Sequence, residues 1–173
     1  MFLVRHGEVE ASWHGRIYGS LDVPLSEQGR SEGLRVALTL KGAGIASVVS
    51  SGLERTEHMA KCLREHRNLP RIDDPQLREI ERGEWAGWTR QELEARRPGA
   101  WAAWFASPAD ARPPGGESLD DLLHRVLPRL DHWTHEATGR SIALVTHGWV
   151  LRVLVCNALG APLNSAPRLD VRT

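Results

Sequence analysis

Phe2-Leu3-Val4-Arg5-His6-Gly7-Glu8 is the stretch from which the rest of the chain is read. Three apolar residues make a short buried strand, and an arginine, a histidine and a glycine follow where a parallel strand gives way to its crossover loop. In open α/β sheets that edge, outside the carboxyl ends of the strands, is where ligands bind. The pattern returns late in the chain, where Ile142-Ala143-Leu144-Val145-Thr146 runs into His147-Gly148 and then into an apolar helix. Two strands therefore each deliver a histidine to the same edge of a sheet. A third, Ala46-Ser47-Val48-Val49-Ser50, leads into Ser51-Gly52-Leu53-Glu54-Arg55 and sets Arg55 in the first turn of the next helix, whose N-terminal N–H groups favour an anion. Arg5, His6, Arg55 and His147 at strand ends make a pocket suited to a phosphate.

Between these strands the spacing predicts helices. Ser26 is placed as the N-cap of one, with Glu27 in its first turn and Leu34, Ala37 and Leu38 as its apolar stripe; Gly29 and Gly33 weaken it. The next carries Leu53, Met59, Ala60 and Leu63 on one face, and Arg71-Ile72-Asp73 follows as a short third strand. Ser118 with Asp121 opens a long helix with apolar spacing from Leu119 to Trp133 and a kink expected at Pro128. The last helix buries Val150, Leu151, Leu154 and Leu159. Strands alternate with crossovers long enough to be helical, which predicts a three-layer α/β/α sandwich: a mostly parallel sheet with helices on both faces. Residues 85–116 differ in composition. Trp85, Trp88, Trp101, Trp104 and Phe105 crowd into a helical stretch that Pro98-Gly99 divides, and a loop with three prolines and two glycines follows. They read as a small helical cap insertion and loop within a single domain spanning 1–173, most of the aromatics packing the cap down.

The chain has 173 residues, and Lys plus Arg equals Asp plus Glu at 22 each, so no net charge draws it to nucleic acid or an anionic membrane. Its longest apolar region, residues 142–159, is broken by His147 and Arg152 and is not a membrane span. The initial apolar run is too short for a signal peptide. Cys62 and Cys156, the two cysteines, fall in helical apolar patterns and are expected to be buried free thiols, which suits a cytoplasmic protein. A homodimer is compatible with this composition, which does not define the oligomeric state.

Arg5-His6-Gly7 after an N-terminal strand, Arg55 after the second, Glu79 within Leu77-Arg78-Glu79-Ile80, and Thr146-His147-Gly148 resemble, in order and strand context, the histidine phosphatase superfamily, whose members include metal-independent phosphatases and primer-dependent phosphoglycerate mutases. The resemblance covers roughly residues 1–160. It implies that His6 attacks phosphorus and becomes a phosphohistidine, that Arg5, Arg55 and His147 bind the phosphoryl oxygens, and that Glu79 gives a proton to the leaving group and later takes one from water. The neighbouring Arg5 is expected to keep the imidazole of His6 neutral. Glu81 and Glu84 are the local alternatives to Glu79, and pairing with Arg78 or Arg82 is its alternative fate. No metal and no cofactor are implied, and the partner is a small-molecule phosphate ester.

The chain departs from the family pattern at Val9 and Ser12, where Thr and a phosphate-binding Asn are common, so the clamp is expected to be weaker or to use Arg16 or a water in their place. Trp149 stands where a second glycine is frequent, and members commonly continue beyond the short polar tail, residues 161–173, through further edge strands. The Gly15-Arg16 and Leu21-Asp22-Val23-Pro24-Leu25-Ser26 stretch is most similar to the α-ribazole phosphatase branch. A phosphomonoesterase is therefore expected. The alternatives are a phosphoglycerate mutase, against which the short chain speaks, and a non-catalytic phosphoryl-binding module, which would need neither His6 nor Glu79.

Overall fold

The computed structural model describes residues 1–65 and 67–171, so the last two residues of the tail, Arg172 and Thr173, lie outside it. Strands β1 (Phe2–Arg5), β2 (Ile45–Ser50), β3 (Ile72–Asp73) and β4 (Ser141–Thr146) form one sheet in the order β1-β4-β2-β3. Every pairing among them is parallel. Helices α1 (Glu27–Thr39), α2 (Glu54–Arg64), α3 (Arg90–Arg96), α4 (Ala100–Ala106), α5 (Leu119–Glu136) and α6 (Gly148–Ala158) supply the crossovers. The α/β architecture expected from the sequence is the one observed.

The apolar run of β4 is continuous because both faces of the sheet are covered. Its side chains alternate: Ala143 and Val145 join Val48 against Met59, Ala60 and Leu63 of α2, whereas Ile142 and Leu144 join Val49 against Leu77, with Leu130 and Trp133 of α5 beside them. A slip of one residue would exchange the two sets, so the core fixes the register. That register pairs Arg5 with Thr146 and Ser50 with Val145, bringing the ends of three strands level.

Helix α1 starts where expected, with the Ser26 hydroxyl accepting from the Gly29 N–H at 3.0 Å. Its buried stripe does not consist of leucines. Ala37 is buried as expected, but Leu34 and Leu38 are 55% and 65% exposed, and Gly29 and Gly33 face inward in their place. The reason is close approach. A Cβ on Gly33 would lie 3.2 Å from the His58 ring and 3.3 Å from Cys62 Sγ on α2, and one on Gly29 would overlap the backbone of Glu8 in the loop after His6. The glycines that lower helix propensity are what let the helix pack.

Thr89 and Ser118 cap α3 and α5 with reciprocal capping boxes, each worth about 1 kcal/mol. Helix α5 continues through Pro128. Trp85, Leu93 and Trp104 are buried with Leu122 of α5 and Val150 and Val153 of α6, so residues 85–106 share a core with the sheet's second helical layer. Leu159, expected in that core, is 72% exposed: α6 ends at Ala158, and Leu159 is the C-cap beyond its buried face. Both cysteines are free and buried. Among the described residues no helix is long and apolar enough to cross a membrane.

Candidate active site

The strand register builds the site. The His6 N–H donates to the Thr146 carbonyl at 3.1 Å, extending the β1–β4 ladder by one bond, and the rings of His6 and His147 stand 5.1 Å apart at 58°. His6 Nδ1 lies 2.7 Å from the Gly7 carbonyl. A carbonyl only accepts, so Nδ1 carries the proton and Nε2 carries the lone pair of the neutral ring. That ring stays neutral far into acid, its pKa lowered from 6.5 to about 3. Burial is the largest cause, the charge of Arg55 comes next, and Arg5, expected to be the cause, contributes less.

His147 is fully buried as the first residue beyond β4, and its Nε2 meets Ser51 Oγ at 2.8 Å. Ser51 in turn meets Thr56 Oγ1 at 2.9 Å, and the Thr56 hydroxyl donates to the Leu53 carbonyl at 2.8 Å. Followed back from that carbonyl, the chain requires Ser51 to donate to Thr56 and His147 Nε2–H to donate to Ser51. The Nδ1 of neutral His147 is then unprotonated. Burial, Arg55 and His6 hold the pKa of His147 well below its usual value.

Arg5 lies against Gly148 and lines the cavity, and its Nη1 donates to the Val171 carbonyl at 2.6 Å. Arg55 is fully buried behind the cavity wall, where Nη1 reaches the Leu21 carbonyl at 2.6 Å and Nη2 the Gly19 carbonyl at 2.8 Å. Both ends of its guanidinium fork therefore hold the loop between β1 and α1. The N-terminus of α2 also turns to that loop, since the Glu54 N–H donates to Asp22 Oδ1 at 2.8 Å; its first-turn donor, expected to face an anion, is met by a carboxylate of the chain itself. Buried nitrogens with no hydrogen-bond partner include Arg5 Nε, Arg55 Nε and His147 Nδ1. Unpaired buried nitrogens are rare in native proteins, and these three belong to the groups expected to surround the nucleophile.

Glu79 is 7% exposed and accepts from the Ile80 N–H at 3.0 Å and from the Trp149 N–H at 3.2 Å. It makes no ion pair with Arg78 or Arg82. Its loop is held from outside by Arg125, which donates to the Gln76 and Arg78 carbonyls at 2.6 and 3.1 Å and pairs with Glu117 at 2.7 Å. The alternatives are engaged elsewhere: Glu81 accepts from Ser20 and the Arg82 N–H, and exposed Glu84 pairs with Arg97 at 3.3 Å.

Two connected chambers open at this edge. One, of about 510 Å³, is lined by His6, Arg5, Val9, Trp13 and Tyr18. The other, of about 260 Å³, shares Arg5, Arg16 and Tyr18 with it and adds Glu79, Arg82, Trp101, Trp149 and Arg152. Arg16, expected to assist, does line both; Ser12 is exposed and contributes only its carbonyl, to Arg16 Nε at 3.2 Å. Trp149 points its ring edge-on to Trp104 at 5.3 Å and walls the second chamber. Arg82 and Arg152 are the residues that sequence reasoning missed. Arg82 follows Glu81 in a charged loop and Arg152 lies in helix α6, contexts where a solvated arginine is the ordinary outcome, and nothing in their spacing marks them as lining a cavity. Among the described residues no three His, Cys, Asp or Glu side chains are grouped to hold a metal ion.

A parallel sheet that sets two neutral histidines among arginines at its carboxyl edge defines an α/β enzyme of the phosphatase type. The profile of the Histidine phosphatase superfamily (branch 1) matches residues 1–173, and the chain belongs to that family. The protein named "Probable phosphoglycerate mutase GpmB" from Yersinia pestis is 33% identical over 172 residues, covering 99% of this chain and 80% of its own. The mycobacterial glucosyl-3-phosphoglycerate phosphatase, solved with VO3, superposes with a TM-score of 0.86 at 31% identity, over 97% of this chain and 84% of its own. The α-ribazole phosphatase from Shigella flexneri superposes with a TM-score of 0.88 at 27% identity, over 99% and 85%.

Proposed function

We propose that this protein is a metal-independent phosphomonoesterase that works through a phosphohistidine on His6. The observation that carries the reading is the state of His6 at the strand-end edge: neutral, with Nδ1–H fixed on the Gly7 carbonyl, so that Nε2 is the unprotonated nitrogen of the ring. Nε2 forms the N–P bond as the ester P–O bond breaks, and Glu79 protonates the departing alkoxide. In the second step Glu79 takes a proton from water as the oxygen attacks phosphorus, and inorganic phosphate leaves with His6 restored. Arg5 and Arg55 supply fixed positive charge to the phosphoryl group. His147 joins them as a donor once a proton is placed on Nδ1, which the charge of a bound phosphate favours. Residues 85–116 act as the cap of a single domain over this edge.

The test is hydrolysis of p-nitrophenyl phosphate in excess EDTA, wild type beside His6→Ala. Turnover that survives EDTA and vanishes in the variant supports the proposal. Activity that needs added metal, or persists without His6, overturns it.

The relatives make two natural substrates worth assay, an α-ribazole phosphate and a phosphoglycerate derivative. The mutase-named relative, which this chain covers to 80%, favours a second reading as a phosphoglycerate mutase. Isomerisation of 3-phosphoglycerate with a bisphosphate primer, exceeding phosphate release, would establish that reading instead. Binding of orthovanadate without turnover of any ester would indicate a phosphoryl-binding module. A cytoplasmic location fits the two buried free thiols.

A further inference from the structure

The second chamber holds a charge that the phosphoryl chemistry does not use. Arg82 is 3% exposed, its Nη1 has no hydrogen-bond partner, and no carboxylate pairs with it. Its guanidinium lies 4.3 Å from the centre of the Trp104 ring and 5.3 Å from that of Trp149. Arg152 lies on Trp149 as well, at 4.9 Å. The two nearest acids act on Arg82 only through their charge, and each is otherwise engaged: Glu117 with Arg125 at 2.7 and 2.8 Å, Glu79 with two backbone N–H groups. Burial lowers the pKa of Arg82 to about 10, which leaves it a cation at neutral pH.

A buried charge without a partner is costly, and an apolar side chain would pack between the two tryptophans without that cost. The planar guanidinium can stack on indole rings and still present its edge to an oxyanion. The same chamber is walled by Arg5, Arg16, Arg90 and Arg152, with Glu79 as its one acid among the described residues. Arg16 is already paired with Glu92 at 3.6 Å, whereas Arg82, like Arg152, feels nearby carboxylates only through their charge. Because Glu79 also lines this chamber, whatever it protonates projects here, on the side of the leaving group and away from the phosphoryl oxygens.

We propose that the natural substrate carries a second anionic group, a carboxylate or a phosphate, on its leaving-group portion, and that Arg82 is the residue that selects it, with Arg152 beside it. This rests on the phosphatase reading with Glu79 as acid. It makes Arg82 a specificity determinant, and it makes the reaction that supplies the substrate one that leaves two acidic groups on a small molecule.

The experiment compares esters matched except for that group: 3-phosphoglycerate against glycerol 1-phosphate for a carboxylate, and 1,3-propanediol bisphosphate against 3-hydroxypropyl phosphate for a phosphate. The wild type is expected to favour at least one anionic member by about tenfold or more in kcat/KM, and Arg82→Met to reduce that ratio by about tenfold. Whichever pair shows the preference names the anion. No preference in either pair, or a ratio that Arg82→Met leaves unchanged, overturns the proposal. Should Arg82→Met fail to fold, Arg82→Gln is measured in its place: an anion preference reduced by about tenfold supports the proposal, and an unchanged preference overturns it. Hydrolysis of p-nitrophenyl phosphate with no anion preference sinks this inference only; hydrolysis of nothing sinks the reading beneath it.

Discussion

One hydrogen bond from His6 Nδ1 to the Gly7 carbonyl decides which ring nitrogen carries the proton, and burial keeps the other unprotonated. The free enzyme should therefore show no acid limb in kcat/KM near 6.5, the ordinary histidine value; a limb at that pH that stays in place when the pKa of the substrate's own phosphate is changed would contradict it. His147 depends on a longer chain through Ser51 and Thr56. Ser51→Ala leaves its Nε2–H without an acceptor and its tautomer unfixed, so kcat/KM is expected to fall at least about tenfold, part of the roughly 10²–10³ lost when an oxyanion donor is removed outright. Ser51→Thr, which keeps the hydroxyl, should recover much of this. For Glu79 the informative comparison is between leaving groups. Glu79→Gln should slow alkyl phosphates far more than p-nitrophenyl phosphate, whose phenolate needs little protonation; equal losses on both would remove Glu79 as the acid.

At the level of elements, α1 sets two magnitudes against each other. Propensity alone says that Gly29→Ala should stabilise an interior helix position by roughly 0.5–1 kcal/mol. The new Cβ would meet the Glu8 backbone, which is rigid because Gly7 packs back on Gly29, and overpacking of that kind costs about 1–3 kcal/mol. The contact should win. Gly29→Ala is expected to lower the melting temperature and turnover together, because the displaced loop begins at His6. Leu34→Gln on the same helix, at a position 55% exposed, should change stability by no more than about 0.5 kcal/mol. If the two variants melt alike, the close approach is not what holds α1 in place.

Over the whole molecule the buried histidines make the fold acid-sensitive. Unfolded, His6 titrates near 6.5; folded, only at about 3, and His147 is lowered in the same sense. Between those values the unfolded chain takes up protons that the folded one refuses, so stability is full above 6.5, falls as the pH drops towards 3, and levels off below. For His6 the loss is on the order of a few kcal/mol. Asp121, held below its usual range by Arg112 and the Ser118 cap, weakens the fold only at lower pH, so the two effects separate. Urea midpoints measured between about pH 7 and about pH 4 should therefore drop steeply in the wild type and less in His6→Asn. Parallel slopes would place the sensitivity elsewhere.

What could be read from the chain alone was whatever short-range chemistry writes locally: apolar runs ending in Arg-His-Gly and His-Gly, a serine and aspartate three apart at the start of α5, and tryptophans gathered between strands. These gave the parallel α/β sheet, the caps at Ser26 and Ser118, and Arg5, His6 and His147 as residues of one edge, while Glu79 was reached only through the family resemblance. The apolar stripe of α1 was misjudged because a helix reports which residues could face inward, not how near its neighbour comes, and the neighbour here needs glycine. Arg55 was legible as a residue of the edge, but not as a fork spent on the Gly19 and Leu21 carbonyls, because those lie in a loop more than thirty residues away in the chain. Arg82 was missed for the same reason. An arginine in a polar loop is normally hydrated, and only the folding of Trp104 and Trp149 over it turns that side chain into a buried cation beside Glu79. The sequence by itself determined the sheet edge and the histidines on it; burial and register, which exist only once distant segments meet, decided the protonation of those histidines and the buried cation that stands beside Glu79.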